Sequence, residues 1–342
     1  MLRKGWMRAG LLLCLVAGGC GGKQDAADKA KKAKADGKLD VLCSFFPIYL
    51  FTKAVVGDRP NVPVELMLPA EMGCPHDYDL QPADVRKIQT ADLFIINGAG
   101  LEEFSKATVT GINPTVTVVD TAKGIVGIPL DEEHDHHDHD HAHEKDEHHD
   151  HDHAHEDHDH DHGHHHEGGI NPHFFSSPKR AASQVRNIAD ALSEIDPEGA
   201  EQYRKNADAF IASLDRLSAE LNEKIAALPN RKIVTMHEIF DYFARDYGLE
   251  IVPDHRLRPA TILPPPGMCK VIEAIKVKKA GAVFKEPQYS GSTAETIGKD
   301  AGVPVGLLDP VASGPADAKP RILRTKMRQP RHLGRTARQG NK

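Results

Sequence analysis

Short apolar runs alternate with amphipathic segments along most of the chain. The apolar runs predict buried strands over residues 41–46, 62–68, 91–97, 115–119, 232–236, 282–285 and 303–308. Apolar residues that recur every three or four positions predict helices over residues 82–90, 178–195, 200–228, 239–247 and 293–301. This alternation predicts an α/β protein with two mainly parallel sheets. The segment 200–228 contains no Gly or Pro, so a long, stiff helix is expected to join the two halves.

The N-terminus has the layout of a secretory signal. Basic residues precede a short apolar run over residues 9–17, which ends in small residues before Cys20. The run is shorter than the roughly 20 residues that a membrane-spanning helix needs. Residues 1–19 are therefore predicted to be a signal peptide, with a lipidated Cys20 and a solvated tether over 20–37. An ordinary cleaved signal with a chance cysteine is the alternative. The mature protein is expected at the periplasmic face or cell surface.

One internal segment has an extreme composition. Residues 131–167 hold 17 of the chain's 22 histidines, with 16 acidic residues and no aliphatic side chain larger than Ala. Such a segment cannot form a core, so a solvated loop is predicted over 131–169. Imidazole is a common ligand of zinc, copper and nickel, and carboxylates add charge. We expect several weak auxiliary metal sites there, which weaken as the pH falls toward the imidazole pKa of about 6.5. A neutral low-complexity insertion is the alternative.

The auxiliary ligands predicted in this segment are all histidines: His134, His136, His137, His139, His141, His143, His148, His149, His151, His153, His155, His158, His160, His162, His164, His165 and His166.

Charge and cysteine usage add little beyond this loop. The net charge of −7 comes largely from that segment, so it does not indicate a nucleic-acid partner, and membrane contact is expected only through the lipid anchor. Outside the signal and the lipidation site remain Cys43, Cys74 and Cys269, an odd number without CxxC spacing. This pattern argues against a disulfide framework and against a zinc–thiolate site. Cys74 is of interest for its position.

Three isolated histidines and one aspartate lie at or near predicted strand ends. His76 and His237 follow predicted strands, His173 comes just after the acidic segment, and Asp309 ends the last strand. In open parallel sheets, ligands bind at the loops that leave the carboxyl ends of the strands. A lone histidine in such a position is more often structural. Four potential ligands in such positions favour a metal site.

Several segments, in this order, resemble the metal-binding receptors of zinc and manganese ABC transporters. They are Leu68-Pro-Ala-Glu-Met-Gly-Cys-Pro-His76-Asp-Tyr-Asp-Leu-Gln-Pro-Ala-Asp84, Ala91-Asp-Leu-Phe-Ile-Ile-Asn-Gly98, Leu101-Glu-Glu-Phe104, Asn171-Pro-His-Phe-Phe175, Val234-Thr-Met-His-Glu-Ile-Phe-Asp-Tyr-Phe-Ala-Arg-Asp-Tyr-Gly248, Phe284-Lys-Glu-Pro-Gln288 and Leu308-Asp-Pro310. The similarity covers most of residues 38–318. It is strongest to the zinc-receptor subgroup, in which a His-rich acidic insertion precedes the second histidine.

The resemblance implies a particular architecture. It implies two Rossmann-like α/β lobes with mainly parallel sheets, over residues 38–195 and 230–318. A long rigid helix over 198–229 would join them, and the metal would lie in the cleft between the lobes.

The resemblance also implies a ligand set. Carried over residue by residue, it consists of His76 and His173 from the first lobe and His237 and Asp309 from the second. The fourth ligand is the least defined position, because water or another carboxylate can occupy it in zinc receptors. Glu71 and Asp77 are nearby carboxylates that could serve instead.

The implied function is high-affinity capture of Zn²⁺ and its delivery to an ABC permease in the inner membrane by a monomeric, non-enzymatic receptor. Imidazole nitrogens with one carboxylate suit zinc, whereas manganese prefers sites rich in oxygen. Manganese receptors of this kind tend to carry Glu where this chain has His237. A manganese receptor, a periplasmic metal buffer and a zinc hydrolase are the alternatives. The chain contains no His-Glu-x-x-His motif to support the hydrolase.

Two stretches depart from the family pattern. Residues 254–269 replace a loop that leads into a helix in similar proteins. Residues 319–342 carry nine Lys or Arg, no acidic residue and little apolar periodicity, where the family ends in an amphipathic helix. The abrupt change predicts a frameshifted C-terminus, and a basic tail with a binding role is the alternative. His255 and His332 lie in these stretches and receive no role.

Overall fold

The computed structural model describes residues 37–76, 78–102, 104, 106–130, 169–252, 265–322 and 325. The predicted signal peptide, Cys20, the auxiliary histidines and most of the basic tail lie outside the described residues. The predictions made for them are therefore neither confirmed nor contradicted by the fold.

The first lobe contains a four-stranded parallel sheet. Its strands are β1 (Val41–Cys43), β2 (Val64–Leu66), β3 (Leu93–Ile96) and β4 (Thr117–Asp120), in the spatial order β2-β1-β3-β4. Its helices are α1 (Phe46–Val56), α2 (Pro82–Thr90) and α3 (Lys106–Ile112). Because all these strands are parallel, their carboxyl ends meet at one edge of the sheet.

The second lobe repeats this arrangement. Its strands are β5 (Lys232–Thr235), β6 (Glu250–Ile251), β7 (Ala282–Lys285) and β8 (Val305–Leu307), in the order β6-β5-β7-β8, and all are parallel. Its helices are α6 (Asp241–Tyr247), α7 (Pro265–Lys278) and α8 (Ser292–Ala301). The predicted α/β class with two mainly parallel sheets is thus confirmed.

Two further helices lie between the sheets in the sequence: α4 (Pro178–Ile195) and α5 (Ala200–Ala226). Helix α5 packs against α1 and α4 and also contacts α6 of the second lobe. Its apolar stripe, which includes Tyr203, Leu217 and Ile225, is almost completely buried. The stripe is buried because one face of an amphipathic helix must be shielded from water. The helix is confirmed, and the boundaries assigned to the lobes remain a prediction.

Some elements were not predicted from the sequence, and α1 shows why. Its residues are apolar almost throughout, and all but two of its eleven positions are buried. A helix without a polar face lacks the alternation that distinguishes a helix from a buried strand. The predicted strand over residues 41–46 therefore ran too far, since β1 ends at Cys43 and Pro47 stands in the first turn of α1.

A single apolar cluster connects the two lobes. It includes Phe94 of the first sheet, Ile211 of α5 and Phe243 of α6, all of which are buried. A second cluster, which includes Val234 and Ile297, lies within the second lobe alone. The shared cluster indicates that apolar packing holds the lobes together in this arrangement. Within the described part of the chain, none of the helices combines the length and apolar character needed to span a membrane.

Replacement of Leu217 by Ala should test the contribution of α5. The side chain of Leu217 is 0% exposed, so its truncation leaves a cavity and should lower the free energy of unfolding by about 2–5 kcal/mol. Urea denaturation followed by circular dichroism measures the change. Glu223→Ala, at an exposed position of the same helix, is the control and should change stability by less than about 0.5 kcal/mol. Equal stabilities for the two variants would contradict this account of the packing.

Candidate metal centre

His76 lies in the loop that follows β2, and the local sequence fixes its backbone. Gly73 has φ +92°, a conformation that side chains other than hydrogen rarely allow. A Cβ at this position would lie 3.2 Å from Cγ of Gln288, which shows how closely the loop approaches the second lobe. Pro75 then fixes one backbone angle immediately before His76. The loop therefore presents its side chains with little backbone freedom.

Asn97, at the carboxyl end of a strand of the first sheet, holds the backbone directly before His173. Asn97, directly after β3, donates a hydrogen bond of 2.9 Å from its amide to the carbonyl oxygen of Pro172. Gln184 of α4 in turn donates to the Asn97 side-chain oxygen at 3.0 Å. His173 is 0% exposed. The carboxyl end of β3 thus sets the position of this histidine even though 75 residues of chain lie between it and Asn97.

His237 comes from the second lobe and stands close to the carboxyl end of β5. It is buried, and Glu286, the residue directly after β7, is buried beside it. The distance from His237 Nδ1 to Glu286 Oε1 is 3.5 Å. Among the described residues, neither atom has a hydrogen-bond partner.

The three histidines converge between the lobes together with Cys74. The distance between the two Nε2 atoms of His76 and His173 is 2.8 Å, and Cys74 Sγ lies 3.4 Å from His173 Nε2. The ring centroids of His173 and His237 are 5.0 Å apart. One ligand atom from each of the four residues lies within 4.8 Å of the others. We call these four residues the histidine–cysteine cluster.

Asn171 determines which nitrogen of His173 faces the cluster. Its amide nitrogen donates to the carbonyl oxygen of Glu238 at 3.1 Å and to a carboxylate oxygen of Asp241 at 3.0 Å. Its Oδ1 therefore faces His173, where it accepts hydrogen bonds from the backbone N–H and from Nδ1–H, at 3.0 and 2.8 Å. With the proton on Nδ1, the neutral imidazole carries a lone pair on Nε2. That lone pair points into the cluster.

The electrostatics of the site favour the neutral imidazole of His173. Burial, followed by the neighbouring His237 and His76, lowers the pKa of His173 well below its usual value. Because the folded protein resists protonation of this group, its contribution to stability is present above the usual pKa of about 6.5 and falls as the pH drops below it. Desolvation, with smaller effects from Glu286, Glu102 and Glu238, raises the pKa of the Cys74 thiol well above its usual value.

The structure brings together three of the four predicted ligands. Asp309 is not a member of the histidine–cysteine cluster, and its Oδ1 accepts a hydrogen bond of 2.8 Å from the backbone N–H of Val311. Its assignment as a ligand remains a prediction. Of the alternative carboxylates, Glu71 is exposed and Asp77 lies outside the described residues.

The sequence analysis missed the roles of Asn171, Glu286 and Cys74 in shaping this site. Glu286 carries the same signal that identified His237, since it stands at the carboxyl end of a parallel strand. Asn171 had a weaker signal, which is its place two residues before a histidine. Cys74 lies two residues before His76 but belongs to no CxxC pair, and the sequence analysis had argued against a zinc–thiolate site on that ground.

Hydrogen bonds connect the lobes beside this cluster. Tyr242 of α6 donates a hydrogen bond of 2.6 Å to the carbonyl oxygen of Asn171 and accepts one of 2.9 Å from the backbone N–H of Ile128. Ser177 and Arg180, at the start of α4, both donate to the carboxylate of Asp246, at 2.6 and 2.9 Å. The segment that carries His173 is therefore attached to the second lobe on two sides.

In this chain, imidazoles from two α/β lobes meet near the ends of parallel strands. This arrangement is typical of a solute-binding protein that encloses a metal ion between its lobes. Residues 41–323 match the ZnuA family, described as zinc-uptake complex component A, periplasmic. The chain belongs to this family. The resemblance inferred from the sequence motifs is thus confirmed.

The similar proteins include both zinc-binding and manganese-binding lipoproteins. The zinc-binding lipoprotein AdcA of Streptococcus pneumoniae is 33% identical over 285 residues, which are 83% of this chain and 52% of AdcA. The chain thus spans about half the length of that curated relative. The manganese-binding lipoprotein MntA of Halalkalibacterium halodurans is 27% identical over 297 residues, 86% of this chain and 85% of MntA.

A solved structure shows the same fold. The Zn(II)-bound ZnuA-like domain of Streptococcus pneumoniae AdcA matches with a TM-score of 0.66 and 27% identity, over 88% of this chain and 99% of that domain. Because nearly the whole domain is covered, the two lobes and the intervening helix of this chain correspond to one complete domain of that protein.

Replacement of Asn171 by Ala should disturb both the fold and the orientation of His173. The change leaves several buried hydrogen-bonding groups without their partner, which should lower the free energy of unfolding by about 1–3 kcal/mol. It should also remove the preference for the Nδ1–H tautomer of His173, which nitrogen-15 NMR of the imidazole reports.

Asn206→Ala is the matched control for this experiment. Asn206 lies on α5 and donates to the carbonyl oxygen of Val55 at 2.9 Å, so its loss should leave the His173 signals unchanged. An unchanged tautomer in the Asn171→Ala variant would show that another contact orients the ring.

Proposed function

We propose that this protein is an extracytoplasmic receptor that captures Zn²⁺ and delivers it to an ABC permease. Its cargo is bound in the histidine–cysteine cluster, where His76, His173 and His237 supply imidazole nitrogens. The observation that carries the proposal is the contact between His173 Nδ1 and Asn171 Oδ1, which leaves Nε2 of His173 facing His76 and Cys74. A site that brings together imidazole nitrogens from both lobes favours zinc over cations that prefer oxygen ligands.

The receptor role requires no bond chemistry. Capture needs ligands from both lobes, because a metal ion bridging His173 and His237 stabilises one arrangement of the cleft. That arrangement is the surface that a permease would recognise, and release follows when the permease disturbs it. The family consists of components of uptake complexes, which supports this reading over the hydrolase. We further propose that the mature chain is a monomer and that lipid at Cys20 anchors it to the membrane.

Manganese is the second candidate cargo, because MntA is a manganese-binding relative over most of its length. The ligand cluster argues against it here. Three imidazoles and a thiol lie within reach of one ion, whereas carboxylate, carbonyl and water ligands suit manganese. A competition between Zn²⁺ and Mn²⁺ for the purified protein should therefore end with zinc in the site.

His237→Ala should abolish the tight zinc site. The variant removes the imidazole supplied by the second lobe, so affinity should fall by more than the roughly 10–100-fold that loss of an outer-shell partner costs. Zinc titration against a competing chelator, in a chain that lacks residues 131–167, measures the tight site without the loop. His255→Ala, at a histidine without an assigned role, is the control and should bind like the parent chain. Unchanged affinity in His237→Ala would overturn the ligand assignment.

Deletion of residues 131–167 should separate the receptor from a metal buffer. A receptor keeps one tight zinc equivalent after the deletion and still supports growth in low zinc of a strain that lacks its own receptor. Only the additional weak equivalents should disappear, since flexible histidines bind without preorganisation. Loss of growth support together with an intact tight site would assign the essential function to the loop.

A further inference from the structure

Cys74 is the one member of the histidine–cysteine cluster for which the sequence predicted no metal role. Its side chain packs against the edge of the apolar cluster, and its sulfur approaches His173. It lies 3.4 Å from Nε2 of His173, the same nitrogen that lies 2.8 Å from Nε2 of His76. Three potential ligand atoms therefore meet at one point, and His237 completes the group from the other lobe.

One of the two observed separations is close to the edge of a tetrahedron around zinc. With Zn–S near 2.3 Å and Zn–N near 2.0–2.1 Å, tetrahedral angles place S and N about 3.5–3.6 Å apart and two N atoms about 3.3–3.4 Å apart. The Cys74–His173 separation of 3.4 Å is close to the first value. The His76–His173 separation of 2.8 Å is shorter than the second, and an ion between the rings would increase it.

The loop geometry brings Cys74 and His76 to the site together. The two residues are separated only by Pro75, whose ring restricts the backbone between them. The positive φ of Gly73 starts the turn that directs the loop toward the second lobe. Because the loop is constrained on both sides of Cys74, the thiol and the imidazole of His76 approach the cluster as one unit.

We propose that Cys74 binds the captured ion through its sulfur as the fourth protein ligand, which gives a site of one thiolate and three imidazoles. The inference rests on the proposed function, since it concerns the same site. On binding, one Zn–S bond replaces the S–H bond of the thiol, and the proton leaves to the solvent. Asp309 then has no ligand role, and its Oδ1 instead accepts the hydrogen bond from the Val311 backbone.

A thiolate ligand defines the chemical class of the cargo. Sulfur is a soft donor that favours Zn²⁺ and Cu⁺ and disfavours Mn²⁺. Cys74 would therefore act as the residue that discriminates against manganese. Cys74→Asp should shift the preference toward Mn²⁺ by replacing the soft donor with a hard oxygen, whereas Cys74→Ala should weaken Zn²⁺ binding without that shift.

X-ray absorption of the full mature chain loaded with one equivalent of zinc tests the proposal. The wild type should show a Zn–S distance near 2.3 Å besides the Zn–N distances near 2.0–2.1 Å. The sulfur signal should vanish in Cys74→Ser and persist in Cys269→Ser, a control at an exposed cysteine of α7. If Cys74→Ser fails to fold, a wild-type spectrum without a Zn–S distance still overturns the proposal, and a Zn–S distance that persists in Cys269→Ser supports it.

The possible outcomes separate this inference from the proposed function. Tight zinc binding that depends on His237 but lacks a Zn–S distance would overturn the role of Cys74 and leave the receptor intact. A Zn–S distance that persists in Cys74→Ser would also overturn it. If the wild type shows no tight zinc site at all, the proposed function itself fails.

Discussion

The hydrogen bonds of Asn171 are the constraint on which the rest of the site depends. Every polar group of this buried residue is engaged: its backbone with Ile128 and Tyr242, and its side chain with His173 and the start of α6. One amide therefore sets the tautomer of His173 and connects the two lobes to each other. The orientation of the His173 lone pair and the closeness of the lobes are consequences of the same few contacts.

The sequence predicted the fold class well because strand and helix periodicities differ clearly in most segments. It failed where a helix is buried on almost all sides, as in α1, because apolar residues then occupy every face. Short elements such as β6, with only Glu250 and Ile251, carry too few residues for any pattern. Those elements depend on contacts with distant parts of the chain.

The site was predictable where a histidine lies in a motif of the family. His76, His173 and His237 met that condition, and the structure brings their rings together. The sequence showed that Cys74 lies close to His76, but it did not show where the side chain of Cys74 points. Only the folded loop shows that its sulfur lies 3.4 Å from Nε2 of His173. The closeness of Glu286 to His237 likewise depends on two strands being neighbours in the second sheet.

The apolar cluster shared by both lobes limits how this molecule can change shape. Wide separation of the lobes would expose side chains such as Ile211 and Phe243 to water, and each fully exposed side chain of this size costs about 1.5–3 kcal/mol. Small rearrangements of the surface loops expose far less. The packing therefore disfavours a wide hinge motion of the lobes. An ion would instead enter and leave through small movements of the loops around the cleft.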